Sequence, residues 1–432
     1  MARENLGTLP GLVAGGALLV GYLLTAAVSL TAGVEALASA FPFLWAHRVT
    51  TALVLLALIT LLNLRGLRES GTLMAVPVYL FLVTYLPMLA VGLVRLIADG
   101  PAPLPPVAPV PVAPLTTALI LQAFASGCTA LTGIEAISNG VPAFRQPEAR
   151  NAGRTLMVMA LLMAVLFLGS TGLVQALAVV AGPQETILSA LTRRVWGSGP
   201  GYLLIQGTTM LILTVAANTS FAGFPRLTAI LAKDGFVPRQ LAGLGDRLVF
   251  SNGILLLAGG TAALIVLFGG DSHALVPLFA VGVFLAFTLS QAGMVLHWWR
   301  VRGAGWQVKA ALNVAGAVAT GSTVLVIGVS KFVQGAWITL ALIPILVVVF
   351  LQVRKHYRQV AGQLSLHGLT SPPGPLPQPR VVVPISGVHR GVVNAMAFAR
   401  SISHDVTGVY IELEPGAAAR VRERWAQWWP DV

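Results

Sequence analysis

Residues 124–151 read FASGCTALTGIEAISNGVPAFRQPEARN. The stretch starts inside an apolar run, 115–131, loosens at Thr132-Gly133, and sets a carboxylate, Glu135, where hydrocarbon is expected. Asn139-Gly140 and Pro142 close the run, and Arg145, Arg150 and Arg154 follow. A helix interrupted by small residues beside an acid at membrane depth frees backbone carbonyls and turns the ends of two half-helices toward the gap. An ionisable group in a span costs at least about 2.5 kcal/mol on insertion scales, so Glu135 is read as a functional group. The alternative is a re-entrant or interfacial turn with Glu135 in water.

The rest of the chain sets the solvent. Of its 432 residues, 56% are hydrophobic and 10% charged, and the mean hydropathy is +0.82. Soluble domains carry about 25% charged residues, so this is read as a polytopic membrane protein. The net charge of +12 is spread over loops. That matches the Lys and Arg bias of membrane loops rather than the basic, aromatic-interleaved stripe of a nucleic-acid binder. One cysteine, Cys128, excludes an intrachain disulfide and a cysteine-based metal cluster. His47, His273, His297, His356, His367, His389 and His404 show no ligand spacing. No nucleophile constellation is present either, which argues against an enzyme, and the residues call for no cofactor. The start, Met1-Ala2-Arg3-Glu4, runs straight into a long span, so no cleavable signal peptide is expected.

A spanning helix needs about 20 mostly apolar residues. Ten segments qualify: 9–40, 46–64, 73–98, 115–140, 156–181, 202–231, 249–268, 274–298, 310–329 and 335–352. The first and sixth are long and are expected to tilt. With the N-terminus inside, the cytoplasmic loops collect Arg65, Arg68, Arg145, Arg150, Arg154, Arg226, Lys233, Arg239 and Arg247. Arg300, Arg302, Lys309, Arg354, Lys355 and Arg358 fall on the same side, whereas Arg48, Arg95, Arg193, Arg194 and Lys331 fall on the other. This bias places both ends in the cytoplasm. The uncharged loop 101–114, PAPLPPVAPVPVAP, is expected to be an extended polyproline strap. Residues 184–194 read as a short interfacial helix.

The expected domains are a transmembrane part, 1–358, a Pro-rich linker, 359–379, and an α/β part, 380–432. In the last, 380–385 and 407–413 read as strands, and 391–402 and 416–429 as helices, giving a βαβα half of a nucleotide-binding type of domain. The turn 384–390, PISGVHR, enters a helix, where phosphate often sits. One glycine and one arginine make no fingerprint.

Two acids lie within the spans, Glu135 and Glu35. Glu35 is near the outer end of its helix and within reach of the headgroups. Thr25 and Ser29 are four residues apart on one helix face. Their hydroxyls suit either a dehydrated cation or ordinary interhelical packing. Thr132 and Glu135, three apart around Gly133, face one cavity if the turn stays helical. The sixth span carries Ala216-Ala217-Asn218-Thr219-Ser220, whose Asn218 and Thr219 again suit a cation or packing. Ala26-Ala27-x-Ser29-x-x-Ala32-Gly33 echoes Ala216-Ala217-x-Thr219-x-x-Ala222-Gly223 five spans apart, the spacing of repeat mates in a five-plus-five transporter.

Three stretches carry a family likeness: ARENLGTLPG at 2–11, GCTALTGIEAISNGVPAFRQPEARNAGR at 127–154, and ANTSFAGFPRLTAILAKDGFVPRQ at 217–240. The chain resembles the KimA-type potassium importers of the amino acid–polyamine–organocation superfamily, often labelled amino acid permeases. Residues 381–432 look like the start of their cytoplasmic domain. The resemblance implies an all-α polytopic LeuT-type fold, a homodimer in the bacterial inner membrane, and proton-coupled potassium uptake inhibited by cyclic di-AMP. It implies ion ligands at Thr25 and Ser29 on the family's third helix, and at Thr132 and Glu135 on its sixth. On this likeness the chain starts at the family's third helix and stops within its cytoplasmic domain. Gly21 stands where that helix usually carries an acid, and Phe279 where the tenth carries an aromatic hydroxyl. An amino acid/proton symporter is the alternative function, and a non-transporting partner or nucleotide sensor the next.

Overall fold

The computed structural model describes residues 2–66, 71–101, 116–128, 130, 133, 137, 140–141, 144–245, 249–365 and 379–430. It divides into two compact units, Met1–Ala361 and Gly362–Val432.

The first unit is helical. Its elements are α1 (Ala2–Leu6), α2 (Thr8–Ala40), α3 (Phe43–Ala46), α4 (Arg48–Leu64), α5 (Gly71–Asp99), α6 (Thr117–Cys128) and α7 (Glu148–Ala176). They continue with α8 (Ile187–Trp196), α9 (Pro200–Lys233), α10 (Ser251–Leu267), α11 (Ser272–Val301), α12 (Trp306–Ser330) and α13 (Trp337–Gln363). Among the described residues, seven of these are long and apolar enough to cross a membrane, and α4 and α10 are shorter apolar helices. Each of the ten apolar segments marked in the sequence holds a helix, and the expected interfacial segment is α8. In the fourth segment the described helix is α6, 12 residues ending at Cys128, and most residues from 129 to 143 lie outside the described ones. Of the loop 101–114 expected to be a strap, residues 102–114 lie outside the described residues.

Helix α2 is the centre of the unit. Buried positions run around it, Ala17, Val20, Leu24, Ala27, Leu30 and Val34 among them. Lipid tails are as apolar as leucine, so hydrophobicity gives little drive for helices to associate in a membrane. Close packing at small residues supplies it instead. The glycines show this. A Cβ on Gly15 would lie 3.8 Å from Leu231, one on Gly33 would lie 3.5 Å from Leu213, and one on Gly223 would lie 2.5 Å from the Tyr22 ring. As positions on α2 rise, their partners on α9 fall, so the two helices pack antiparallel along their length. The two echoing segments of the sequence therefore lie against each other, as repeat mates do.

The α2–α11 join is polar at one end. Asp271 accepts the N–H groups of His273 and Ala274 at 2.9 and 3.3 Å. Glu35 accepts the Ser272 N–H at 2.8 Å and the Ser272 hydroxyl at 2.5 Å. Two carboxylates thus cover the positive end of the α11 dipole. The expectation that Glu35 reaches lipid headgroups is corrected here. It is 4% exposed, because the N-terminus of α11 stands against it and its Ser272 donors replace water.

The second unit contains β1 (Val381–Ile385), α14 (Arg390–Ile402), β2 (Val406–Tyr410) and α15 (Ala417–Trp428). The strands pair in parallel with Val381 opposite Val406 and Ile385 opposite Tyr410. A crossover helix is what joins parallel neighbours. Ile385, Val392, Met396, Ala399, Val406 and Trp429 form its core. Arg380 Nε donates to Asp405 at 2.8 Å, which holds the guanidinium above its usual range.

Candidate functional site

Gly21, Thr25 and Ser29 make one row on α2. A Cβ on Gly21 would lie 3.6 Å from Val283 Cγ2 of α11. On the facing helix, a Cβ on Gly282 would lie 3.4 Å from the Ala17 carbonyl and 3.9 Å from Gly21 N. Two glycines without side chains let the backbones approach this closely. The Glu35–Ser272 and Gly21–Val283 contacts make α2 and α11 antiparallel, and the register between them sets Phe279 level with Thr25.

Thr25 is half-buried and donates its hydroxyl proton to the Gly21 carbonyl at 2.8 Å. That bond uses the proton and leaves the oxygen able to accept, which is the state a cation needs. Ser29, one turn on, is 8% exposed.

The α2–α9 register sets residues 216–220 level with this row. Ser220 is fully buried, and its Oγ has no hydrogen-bond partner among the described residues. Its neighbours Asn218 and Thr219, both expected to suit a cation or packing, make contacts of their own. Asn218 accepts from Asn63 Nδ2 of α4 at 2.7 Å, and its own amide lies 3.9 Å from Met74 Sδ of α5. It joins α4, α5 and α9. Thr219 is exposed and donates to the Ala216 carbonyl at 2.7 Å. Helical rotation of about 100° per residue separates Thr219 from Ser220, and burial alone tells which one faces inward.

The broken helix comes next. Gly133 is half-buried with φ +101°, a left-handed value favouring glycine, at the position where the sequence loosens. Thr132 and Glu135 on either side of it lie outside the described residues.

A second polar cluster ties α8 to the same end of α2 as Glu35. Tyr202 donates to the Ser39 carbonyl at 2.9 Å and lies 2.7 Å from Ser189 Oγ. Ser39 Oγ accepts the Thr186 N–H at 3.1 Å. Arg193 Nη2 donates to the Tyr202 oxygen at 3.3 Å. It also stands 2.9 Å from Glu185 Oε1, a charge contact rather than an aligned hydrogen bond. The Tyr202 hydroxyl is the main cause holding the Arg193 guanidinium above its usual range.

The amino acid permease family matches residues 1–354, and the KimA potassium transporter C-terminal domain matches residues 377–432. Potassium transporter KimA of Bacillus subtilis (strain 168) is 43% identical over 430 residues, which cover 99% of this chain and 70% of that protein.

The chain belongs to the amino acid permease family, in its KimA branch.

It is a multi-pass protein of the plasma membrane, and the permease part contains both the α2–α9 pair and the broken fourth segment. In this permease the hydroxyl row and the buried Ser220 come from opposite members of the echoing pair.

Proposed function

We propose that this permease imports potassium and that the cation rests at the level of α2 and α9 that holds Thr25, Ser29 and Ser220. The observation that carries this is the level shared by Thr25, Ser29 and Ser220, whose hydroxyl has no partner among the described residues. Oxygen ligands replace the water shell of a monovalent cation, and Thr25 already has its proton turned to the Gly21 carbonyl. The name of the Bacillus subtilis relative supports the choice of ion. Thr25, Ser29 and Thr132 supply oxygens and Glu135 supplies charge. Gly133, with its left-handed φ of +101°, suits an interrupted helix, the kind of element that offers backbone carbonyls to a cation. A buried carboxylate holds either a proton or a neighbouring cation, and this exchange couples uptake to protons. The permease works as a homodimer with both termini in the cytoplasm. Cyclic di-AMP acts on the second unit, where α14 opens without a side-chain cap and its first amides suit a phosphate.

An amino acid is the second substrate class. It is favoured by Gly21 and Phe279, which add no side-chain oxygen beside Thr25, and by the interrupted helix at Gly133, a kind of element whose amides suit a carboxylate. Reconstituting the full chain in liposomes with an internal pH dye separates the two. Potassium-driven proton movement that vanishes in Glu135→Gln supports the first. Uptake of labelled amino acids without it supports the second. Cyclic di-AMP binding with no flux of either kind would overturn both in favour of a sensor.

A further inference from the structure

The last turns of α13 carry a feature that transport does not use. Ile345, Val348, Leu351, Lys355 and Arg358 recur at steps of three and four, so they share one helix face. The first three are exposed at 57, 52 and 42%, and the two cations are exposed as well. At the change from apolar to basic, Leu351, Arg354, Lys355, Arg358 and Gln359 line an open groove of about 380 Å³. Arg354 is fixed against it by the Phe236 ring, 4.5 Å from the ring centre.

This groove has a charge imbalance. Arg354, Lys355 and Arg358 lie within two turns. Among the described residues none of the three has a carboxylate at ion-pair distance, and the nearby Asp234 is paired with Arg3. Like charges four apart on a helix repel by about 0.2–0.5 kcal/mol, so the arrangement calls for an external anion. The stripe also has the dimensions of an amphiphile. Ile345 to Arg354 spans roughly 14 Å of helix, close to one leaflet of a hydrocarbon core about 30 Å thick.

We propose that this face of α13 binds an anionic phospholipid, with Lys355, Arg358 and Arg354 around the phosphate and the acyl chains along Leu351, Val348 and Ile345. A soluble phosphate would use the cations and not the stripe. The lipid uses both.

The test is native mass spectrometry of the full detergent-solubilised chain, titrated with phosphatidylglycerol or phosphatidylcholine. The first phosphatidylglycerol binds more tightly than phosphatidylcholine, and its affinity falls with added salt. Each charge near a membrane surface contributes about fivefold, so Lys355→Gln weakens it about fivefold and Lys355→Gln with Arg358→Gln roughly thirtyfold. Phosphatidylcholine binding does not change. Arg300→Gln with Arg302→Gln, an equal charge loss at the end of α11, leaves the first site intact. Equal affinity for the two lipids, or equal weakening by the α11 pair, overturns the proposal. So does competition by soluble glycerophosphate as strong as that of the lipid.

Discussion

Replacing Glu35 by alanine removes one acceptor group that serves two donors. Its oxygens accept the Ser272 N–H at 2.8 Å and the Ser272 hydroxyl at 2.5 Å. The side chain is 4% exposed, so water does not take its place. A buried donor left without an acceptor costs about 1–3 kcal/mol, and two of them put the loss at roughly 2–6 kcal/mol. Asp271 still caps the next two amides, so α11 keeps its start and the loss stays local. Glu35→Gln retains one carbonyl oxygen and loses the charge-assisted part, about 1–3 kcal/mol. Ser272→Ala removes only the hydroxyl, about 1–2 kcal/mol. The double-mutant cycle between Glu35→Gln and Ser272→Ala then yields a coupling of about 1–3 kcal/mol. Unfolding of the full chain in mixed micelles with increasing dodecyl sulfate, followed by tryptophan fluorescence, measures it. A Glu35→Ala midpoint equal to that of the unaltered chain, or strictly additive single changes, would refute the reasoning.

Three further outcomes follow from individual contacts. Ser220→Ala relieves a buried hydroxyl that has no partner among the described residues, so the chain becomes up to about 1–3 kcal/mol more stable to dodecyl sulfate while rubidium binding weakens several-fold. Opposite signs are the signature, and a loss of both would show a structural role. Gly223→Val drives a side chain into the Tyr22 ring, where even a Cβ would come within 2.5 Å. This overpacking costs about 1–3 kcal/mol, whereas Gly207→Ala, with nothing within 4 Å, is neutral in the same unfolding assay. Gly408→Val displaces the Trp425 ring, which a Cβ would meet at 2.5 Å. It changes near-ultraviolet circular dichroism while leaving the permease part's unfolding midpoint where it was.

Much of the scaffold was legible because a bilayer allows few solutions. Every backbone group must be satisfied within its own segment, so ten apolar runs translate directly into helices. Gly133 was legible for the same reason, since a glycine beside an acid at that depth has little packing use. Residue choice within a helix was not legible. Asn218, Thr219 and Ser220 are adjacent polar residues on one span, and composition cannot tell which faces α2. That depends on helix rotation, which the small-residue contacts at Gly15, Gly33 and Gly223 set. Glu35 shows another limit. A carboxylate near a helix end looks headgroup-bound until the chain places the N-terminus of α11 beside it, a contact 237 residues away in sequence. The weak echo between the first and sixth spans gained meaning only when the two helices were seen packed antiparallel.

The central claim is that the hydroxyl level between α2 and α9 holds a monovalent cation. The most direct measurement is equilibrium binding of radioactive rubidium to the purified full chain, with Thr25→Ala and Ser29→Ala combined as the comparison. The account predicts that potassium displaces rubidium, that amino acids do not, and that the double change weakens binding by about tenfold, the equivalent of one neutral hydrogen-bonding ligand or two. Rubidium binding that survives the double change unaltered, or that amino acids displace, would contradict it.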